Sequence, residues 1–272
     1  MLTRIAWELV IAPVRPPYRR SAAGYDGLYA PRKDFRSEAL RLTRIVERVS
    51  GPTRGDWLDV ACGTGLHLRH LPRTFRVEGV DASEEMLAIA RRRCPRVRFH
   101  LGDMRTFDLG RRFDVVSCLF CSIGYMTTKA DLGRAIANLA RHTREGGVVI
   151  VEPWHTPTDY RTGTVHLDAI EGRSVTEMHQ VRMIVSKRRG RVSLMDAHHL
   201  VGTPRGVEHF VERHAMGLFT KAEFGEAFRE AGLEPVFERK GLSDRGLYLA
   251  FKRRPAPLAE GPGGSGRRSR RS

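Results

Sequence analysis

The nine residues WLDVACGTG at 57–65 decide how the chain reads. Trp57 to Ala61 is a short apolar run of the kind that forms a buried strand, and Gly63 and Gly65 follow where that strand must turn into a helix. Glycine at both positions lets the backbone approach a ligand that a side chain would block, as at the first strand-to-helix turn of nucleotide-binding folds. A dinucleotide fold repeats glycine three residues beyond the second, and here that position is Leu68. The turn is therefore less suited to a pyrophosphate than to a nucleoside cofactor without phosphate.

Outward from this turn, short apolar runs alternate with helical patterns: a helix from about Leu66, FRVEGV (75–80), a helix SEEMLAIARRR (83–93), VRFHL (97–101), FDVVSCLF (113–120), a helix from Lys129 to His142, and VVIVE (148–152). Strands separated by helices imply parallel pairing through right-handed crossovers, hence a doubly wound, Rossmann-like α/β sheet. Upstream, Phe35, Ala39, Leu42, Ile45, Val46 and Val49 recur at helical spacing behind a capping Asp34. Three β-like runs, RSVTEMHQVRMIVS (173–186), RVSLMDAHHLV (191–201) and VEHFVERHAMGLF (207–219), are separated by turn-prone RRG and GTPRG. They predict an inserted antiparallel β subdomain covering the substrate side. A helix at 221–232 and strands at 234–239 and 246–251 complete the first sheet. The expected organisation is an irregular arm at 1–24, a core at 25–152 and 217–252, the insertion at 153–216, and a low-complexity, disordered basic tail at 253–272.

Bulk properties narrow the class. With 272 residues, 41% hydrophobic and 29% charged, the chain can bury one sizeable core and is neither disordered nor fibrous. No apolar run reaches the roughly 18 residues of a membrane span; the segment 5–14 is interrupted by Glu8 and reads as an appended arm rather than a secretory signal. The expected location is the cytoplasm, with no membrane partner. The net charge of +16 invites a nucleic-acid reading, but the residues from Lys252 onward carry +6 of it and no long polybasic groove is legible, so no nucleic acid is expected. An acidic small ligand such as a phosphorylated metabolite fits equally well. Cys118 and Cys121 have metal or redox spacing without a second pair, and together with Cys62 and Cys94 they read as buried thiols. His198, His199, His209 and His214 lie at irregular spacing without a carboxylate-rich shell, so they read as surface or packing residues, and no metal is expected.

Further strand ends converge on the same ligand. Asp81, sixteen residues past Gly65, closes the second strand where an acidic residue accepts hydrogen bonds from ribose hydroxyls. Asp103 and Met104 close the third and offer a carboxylate to an adenine amino group and an apolar wall to its ring. Later, Trp154 in VEPW can stack on a sugar or base, Glu152 can orient a polar group, and Arg245 offers a bidentate phosphate contact, with Arg182 as a second candidate.

With these residues in place the chain resembles class I S-adenosylmethionine-dependent methyltransferases. YDGLY (25–29), WLDVACGTGLHLRHL, VEGVDASEEMLAIARRR, GDMRTFDLGRRFDVV, CSIGY (121–125), GGVVIVEPW and DRGLY narrow the resemblance to nucleotide-linked aminosugar N,N-dimethyltransferases of the desosamine and mycaminose type, over about residues 18–251. The resemblance implies S-adenosylmethionine as methyl donor and a dTDP-linked deoxyaminosugar as partner, in antibiotic or other secondary-metabolite biosynthesis, with a homodimer as a possible assembly. It adds Tyr25, Ala61, Ala82, Met86 and Leu119 to the cofactor contacts and Tyr18 and Tyr29 to the substrate contacts. It also puts Tyr125 beside the amine as an orienting group and proton acceptor. Trp154-His155-Thr156 stands where the family has Trp-Trp-Phe, so the substrate wall is altered.

Methyl transfer from a sulfonium to an amine is an in-line displacement on an activated carbon, so proximity, orientation and a dry pocket are the main demands on the protein. The alternatives are an O- or C-methyltransferase of another small metabolite and a basic nucleic-acid-binding protein built on the same fold. The fourth strand lacks the Asn/Asp-Pro-Pro-Tyr pattern of nucleic-acid amino methyltransferases, which weighs against the latter.

Overall fold

The computed structural model describes residues 17–50, 54–172 and 177–253. Most of the expected arm, the tail beyond 253 and the start of the 173–186 run lie outside the described residues. Strands β1 (Gly55–Val60), β2 (Phe75–Asp81), β3 (Arg98–Leu101), β4 (Phe113–Cys118) and β5 (Thr143–Val151) pair in parallel, and β10 (Leu233–Glu238) and β11 (Leu247–Lys252) complete a seven-stranded sheet. Its spatial order is β10-β11-β5-β4-β1-β2-β3, with β11 antiparallel to both neighbours. The chain winds outward one way through β1, β2 and β3 and the other way through β4 and β5. The switch point between β1 and β4 opens a crevice at the carboxyl ends of the strands.

Both faces of this sheet are covered, so β1 is buried along its length, and its one inner acid, Asp59, accepts from Ser117 Oγ at 2.6 Å. Helices α4 (Lys129–Arg141) and α5 (Lys221–Glu230) bury Leu132, Ile136, Leu139 and Phe228 on one face, with Leu58 and Val116 beneath them. On the other face α2 (Phe35–Ser50) packs Leu42 and Val46 on Trp57, Val115 and Ile150, and α3 (Glu84–Arg93) contributes Leu87. The helices start where the sequence predicts. Asp34 Oδ1 accepts from the Ser37 N–H at 2.9 Å, Ser83 Oγ from Met86 N–H at 3.2 Å, and Thr220 and Glu223 form a reciprocal capping box.

Three expectations need correction. The helix expected from Leu66 is a single 3-10 turn, Leu68–His70, because Pro72 forces Leu71 into an extended conformation. The segment 1–24 is not irregular to its end, since a helix, α1 (Ala22–Tyr29), begins inside it. The antiparallel sheet has four strands rather than three: β6 (Val165–Ile170), β7 (His179–Arg189), β8 (Val192–Thr203) and β9 (Gly206–Gly217), in that order.

Helix α1 lies between the two sheets and is seated by glycines. A Cβ on Gly24 would stand 1.8 Å from Gln180 Oε1 of β7, and one on Gly27 would stand 2.7 Å from Ile170 Cδ1 of β6. From the other side Asp26 accepts from Thr64 Oγ1 at 2.6 Å and pairs with Arg93, so the helix is tied directly to the turn after β1.

Candidate active site

A cavity of about 750 Å³ occupies the crevice between the sheets and is lined at one end by Ala61, Gly63, Asp81, Ala82, Met86, Asp103 and Met104. Its other end is formed by Tyr125, Trp154, Arg182, His214 and Arg245, and Tyr18, Tyr25 and Tyr29 cover it. A cavity of this size suits a small ligand and its cofactor together.

The strand ends build the first end. Gly63 has φ +56° and Ala61 has φ +58°, both left-handed, and a Cβ on Gly63 would meet nothing within 4 Å, so the bare backbone faces the cavity. Asp81 accepts from Gly63 N–H at 2.8 Å through one oxygen and from Ser83 N–H at 2.9 Å through the other, which fixes the plane of its carboxylate. Burial raises the Asp81 pKa, opposed by those amide donors. Asp103 is held by Arg105, whose Nε donates to Oδ1 at 2.9 Å, and this pairing lowers its pKa and keeps it ionised on the cavity wall.

Gly65 and Leu119, also expected to touch cofactor, do not line this cavity. A Cβ on Gly65 would meet Ala90 at 3.4 Å, so this glycine admits α3. Leu119 is buried in the core and reaches only a small neighbouring pocket behind the Gly63 turn. Glu152 is fully buried and lies at the turn after β4, where it lines a neighbouring pocket with Tyr29 and Arg245 rather than the main cavity. There Phe120 and Cys121 both adopt left-handed backbone conformations (φ +50° and +61°), costly for non-glycine residues. Glu152 secures them by accepting from Phe120 N–H at 2.8 Å and from Ser243 Oγ at 2.7 Å.

The two arginines differ. Arg182 is buried and neutralised: its Nε donates to Asp168 Oδ2 at 2.8 Å, its Nη1 donates to Tyr29 OH at 2.9 Å, and its plane lies 4.9 Å over the Tyr29 ring. Arg245 stacks 5.0 Å over Trp154, pairs with no carboxylate among the described residues, and keeps its Nε without a hydrogen-bond partner. Trp154 Nε1 is also buried without a partner. Buried donors of this kind point to a ligand that accepts from them.

Tyr125 follows β4 and meets two residues. Its hydroxyl is 3.0 Å from that of Tyr18 and 2.9 Å from His214 Nδ1 on β9. Burial pushes both phenol pKa values upward and lowers that of His214 to about 4, leaving protonated phenols beside a neutral imidazole at neutral pH. The irregular histidine spacing predicts a surface or packing role for His214, and the structure sets it beside Tyr125. Its partner is 89 residues away in the chain, and no local pattern signals such a pairing. Of the other histidines, His199 bonds Gln180 at 2.7 Å and stacks on Phe210, while His198 and His209 stack on each other at the surface.

The chain is similar to known proteins over most of its length. A family described as a methyltransferase domain matches residues 58–147. A dTDP-3-amino-3,6-dideoxy-alpha-D-glucopyranose N,N-dimethyltransferase of Streptomyces fradiae is 44% identical over 221 residues, 80% of this chain and 85% of that one. The dTDP-4-amino-2,3,4,6-tetradeoxy-D-glucose N,N-dimethyltransferase of Saccharopolyspora spinosa is 37% identical over 84% of this chain and 91% of its own length. The chain belongs to the dTDP-aminosugar N,N-dimethyltransferase family. The crystal structure of DesVI from Streptomyces venezuelae superposes with a TM-score of 0.78 at 39% identity, covering 85% of this chain and 98% of that one. As an N,N-dimethyltransferase family member the protein uses S-adenosylmethionine as methyl donor, and the site fits that group. The open backbone at Gly63, the fixed carboxylate of Asp81 and the Met86 and Met104 walls suit an adenosine bearing no phosphate.

Proposed function

We propose that this enzyme transfers methyl groups from S-adenosylmethionine, twice in succession, to the amino group of a dTDP-linked deoxyaminosugar in secondary-metabolite biosynthesis. The observation that carries the reading is a single cavity joining an adenosine-shaped end to a donor-rich end, where Arg245 and Trp154 stack with unpartnered N–H groups. S-adenosylmethionine supplies a methyl carbon already activated by a sulfonium. Asp81 accepts from the ribose hydroxyls, Asp103 accepts from the adenine amino group, and Met86 and Met104 flank the base. Tyr25 and Tyr29, with ring centroids 4.6 Å apart, close the cavity and exclude water. Arg245 donates to the diphosphate in a bidentate manner, Trp154 stacks on the sugar or base, and Arg182 orients Tyr29. Tyr18 and Tyr125 hold the amine so that its lone pair points along the line of displacement.

O- or C-methylation of another metabolite is the competing reading. A hydroxyl or carbon nucleophile needs a strong base, whereas the groups around Tyr125 are phenols with raised pKa and an imidazole with lowered pKa. That environment favours a nucleophile that attacks as a neutral amine. Incubation with S-adenosylmethionine and dTDP-3-amino or dTDP-4-amino deoxysugars, followed by mass spectrometry, should give products heavier by one and then two methyl groups. Absence of product across that panel, with methylation of hydroxylated sugars instead, would refute the proposal.

The assembly proposed is a homodimer in the cytoplasm; no helix among the described residues is long and apolar enough to cross a membrane. The outer face of the antiparallel sheet exposes Leu167, Val181, Met183, Leu200 and Val211, with Leu167 opposite Met183 and Val181 opposite Leu200 in register. The patch runs across four adjacent strands spaced about 4.8 Å apart, and a second copy stacks on it face to face at about 10 Å. Asp196 and Arg213, paired at 3.5 Å, add charges of both signs to the patch, so a second copy can meet it with complementary charge.

A further inference from the structure

Residues 18–21 run along the inner face of β9, and Tyr18 among them lines the cavity. Glu208, Phe210, Glu212 and His214 alternate along that strand, so their side chains share one face, and each meets this short segment. Arg20 pairs with Glu208, and its guanidinium lies 4.4 Å over the Phe210 ring. Glu212 Oε1 accepts from the Arg20 N–H at 2.9 Å and from the Ser21 N–H at 3.2 Å, while its Oε2 accepts from Ser21 Oγ. The Tyr18 ring lies 5.0 Å from the His214 imidazole, and the Tyr18 hydroxyl accepts from that of Tyr125 at 3.0 Å.

Tyr18 needs such fastening. Its backbone is left-handed, φ +68°, a conformation that a bulky residue keeps only where its surroundings hold it. The amides that follow it in the chain, those of Arg20 and Ser21, both end on one oxygen of Glu212. The start of α1 offers no substitute. Ser21 stands at its N-cap without a capping hydrogen bond from its own side chain, and the first turn contains no acid, so Glu212 brings a carboxylate there from the other sheet. The rest of α1 is seated independently, by Gly24 against Gln180 and by Asp26 on Thr64 and Arg93. Loss of Glu212 therefore frees the residues before the helix and leaves the helix in place.

We propose that Glu212 is a positioning residue for methyl transfer: by clamping the backbone at Arg20 and Ser21 it holds the Tyr18 hydroxyl against that of Tyr125, where the two face the substrate amine. The proposal rests on the aminosugar reading above for its substrate. Glu212 lies outside the cavity lining and acts through Tyr18. A displacement of about 1 Å in a group that orients the nucleophile is enough to slow transfer about 100-fold.

Amide hydrogen exchange in the substrate-free chain reads the clamp, and turnover reads its consequence. Glu212→Ala removes the acceptor, and Glu212→Asp keeps the charge but draws it back by one methylene. Glu212→Gln keeps the reach: one oxygen still serves both amides, and the Ser21 hydroxyl, which donates or accepts, pairs with the amide nitrogen. In the Ala and Asp variants the Arg20 and Ser21 amides should exchange at least about 10-fold faster than in wild type, with the β8–β9 amides unchanged. Their kcat on a dTDP-aminosugar should fall about 10- to 100-fold, with donor affinity within about twofold. Glu212→Gln should stay within about threefold of wild type in both measurements, and Glu212→Ala added to Tyr18→Phe should cost nothing further. Equal damage from Gln and Ala, faster exchange across β8–β9, additive losses with Tyr18→Phe, or donor affinity falling with kcat would mean a general packing role and overturn the proposal. Exchange is measured without substrate, so Arg20 and Ser21 amides that exchange alike in wild type and Glu212→Ala overturn the clamp alone. A wild-type chain that methylates no aminosugar overturns the function instead.

Discussion

At the scale of single residues, the site combines groups that hold ligand with groups that hold those groups. Asp81 is placed to do both, because its two oxygens pin the amides of Gly63 and Ser83 and the residue lines the cavity. Asp81→Ala should therefore weaken S-adenosylmethionine binding by about 30-fold or more, the loss expected for hydrogen bonds to a charged acceptor, measurable by calorimetry. Binding within about threefold of wild type would remove Asp81 from the ribose contact. Trp154 and Arg245 are proposed to act on the other ligand. Arg245→Ala should raise KM for the nucleotide sugar by about 10- to 100-fold and leave donor affinity unchanged, because only the substrate end loses a charged donor. A matching loss of donor affinity would place the diphosphate elsewhere. The glycines and strand-end acids were legible in the sequence because their constraint is local: a left-handed turn and the end of an apolar run. The Tyr125–His214 contact was not, since the two residues lie on remote segments, and neither were the partners of Glu152, a backbone amide and a distant serine.

At the scale of elements, α1 is the part whose position matters most to the cavity. Gly27→Val would place carbon against Ile170 and lift the helix that carries Tyr25 and Tyr29. The expected outcome is a KM raised about 10-fold for both substrates with global stability reduced by about 1–2 kcal/mol, measured by kinetics and urea unfolding. Unchanged KM would show that α1 does not close the site. The start of β1 offers a pH test. Asp56 is buried, accepts from Arg76 Nε at 2.7 Å on β2 and from Arg144 Nη2 at 2.6 Å on β5, and its pKa is lowered to about 2, first by the Arg76 hydrogen bond. A carboxyl with a folded pKa below its unfolded value of about 3.9 stabilises above that value and loses the contribution as pH falls toward 2. Asp56→Asn should cost about 1–2 kcal/mol at pH 7, discounted for the exposure of the arginines, with the gap to wild type closing between about pH 4 and pH 2. A gap independent of pH would contradict the ion-pair origin. Strand β6 escaped the sequence reading for a related reason. Its apolar Val165 and Leu167 face outward while Asp168 faces inward, inverting the pattern that normally marks a strand's buried face.

For the whole molecule, the doubly wound sheet was readable from the alternation of runs, while the seat of the second sheet on the first was not, because its inward polar residues serve particular partners: Arg182 and Ser186 line the cavity, and Gln180 packs against α1 and bonds His199. The apolar residues on the outer face are the basis of the proposed dimer. Met183→Glu should convert a dimer to a monomer by light scattering with the sheet intact by circular dichroism; a wild-type monomer at micromolar concentration would refute that interface. The central claim is spatial: one cavity presents a sugar amine to a sulfonium methyl beneath two tyrosines. A crystal structure with S-adenosylhomocysteine and a dTDP-aminosugar tests it most directly. In that structure the amine nitrogen should lie about 3 Å from the Tyr18 or Tyr125 hydroxyl and the diphosphate on Arg245. A sugar seated with its nitrogen away from both hydroxyls, or a nucleotide bound outside this cavity, would contradict it.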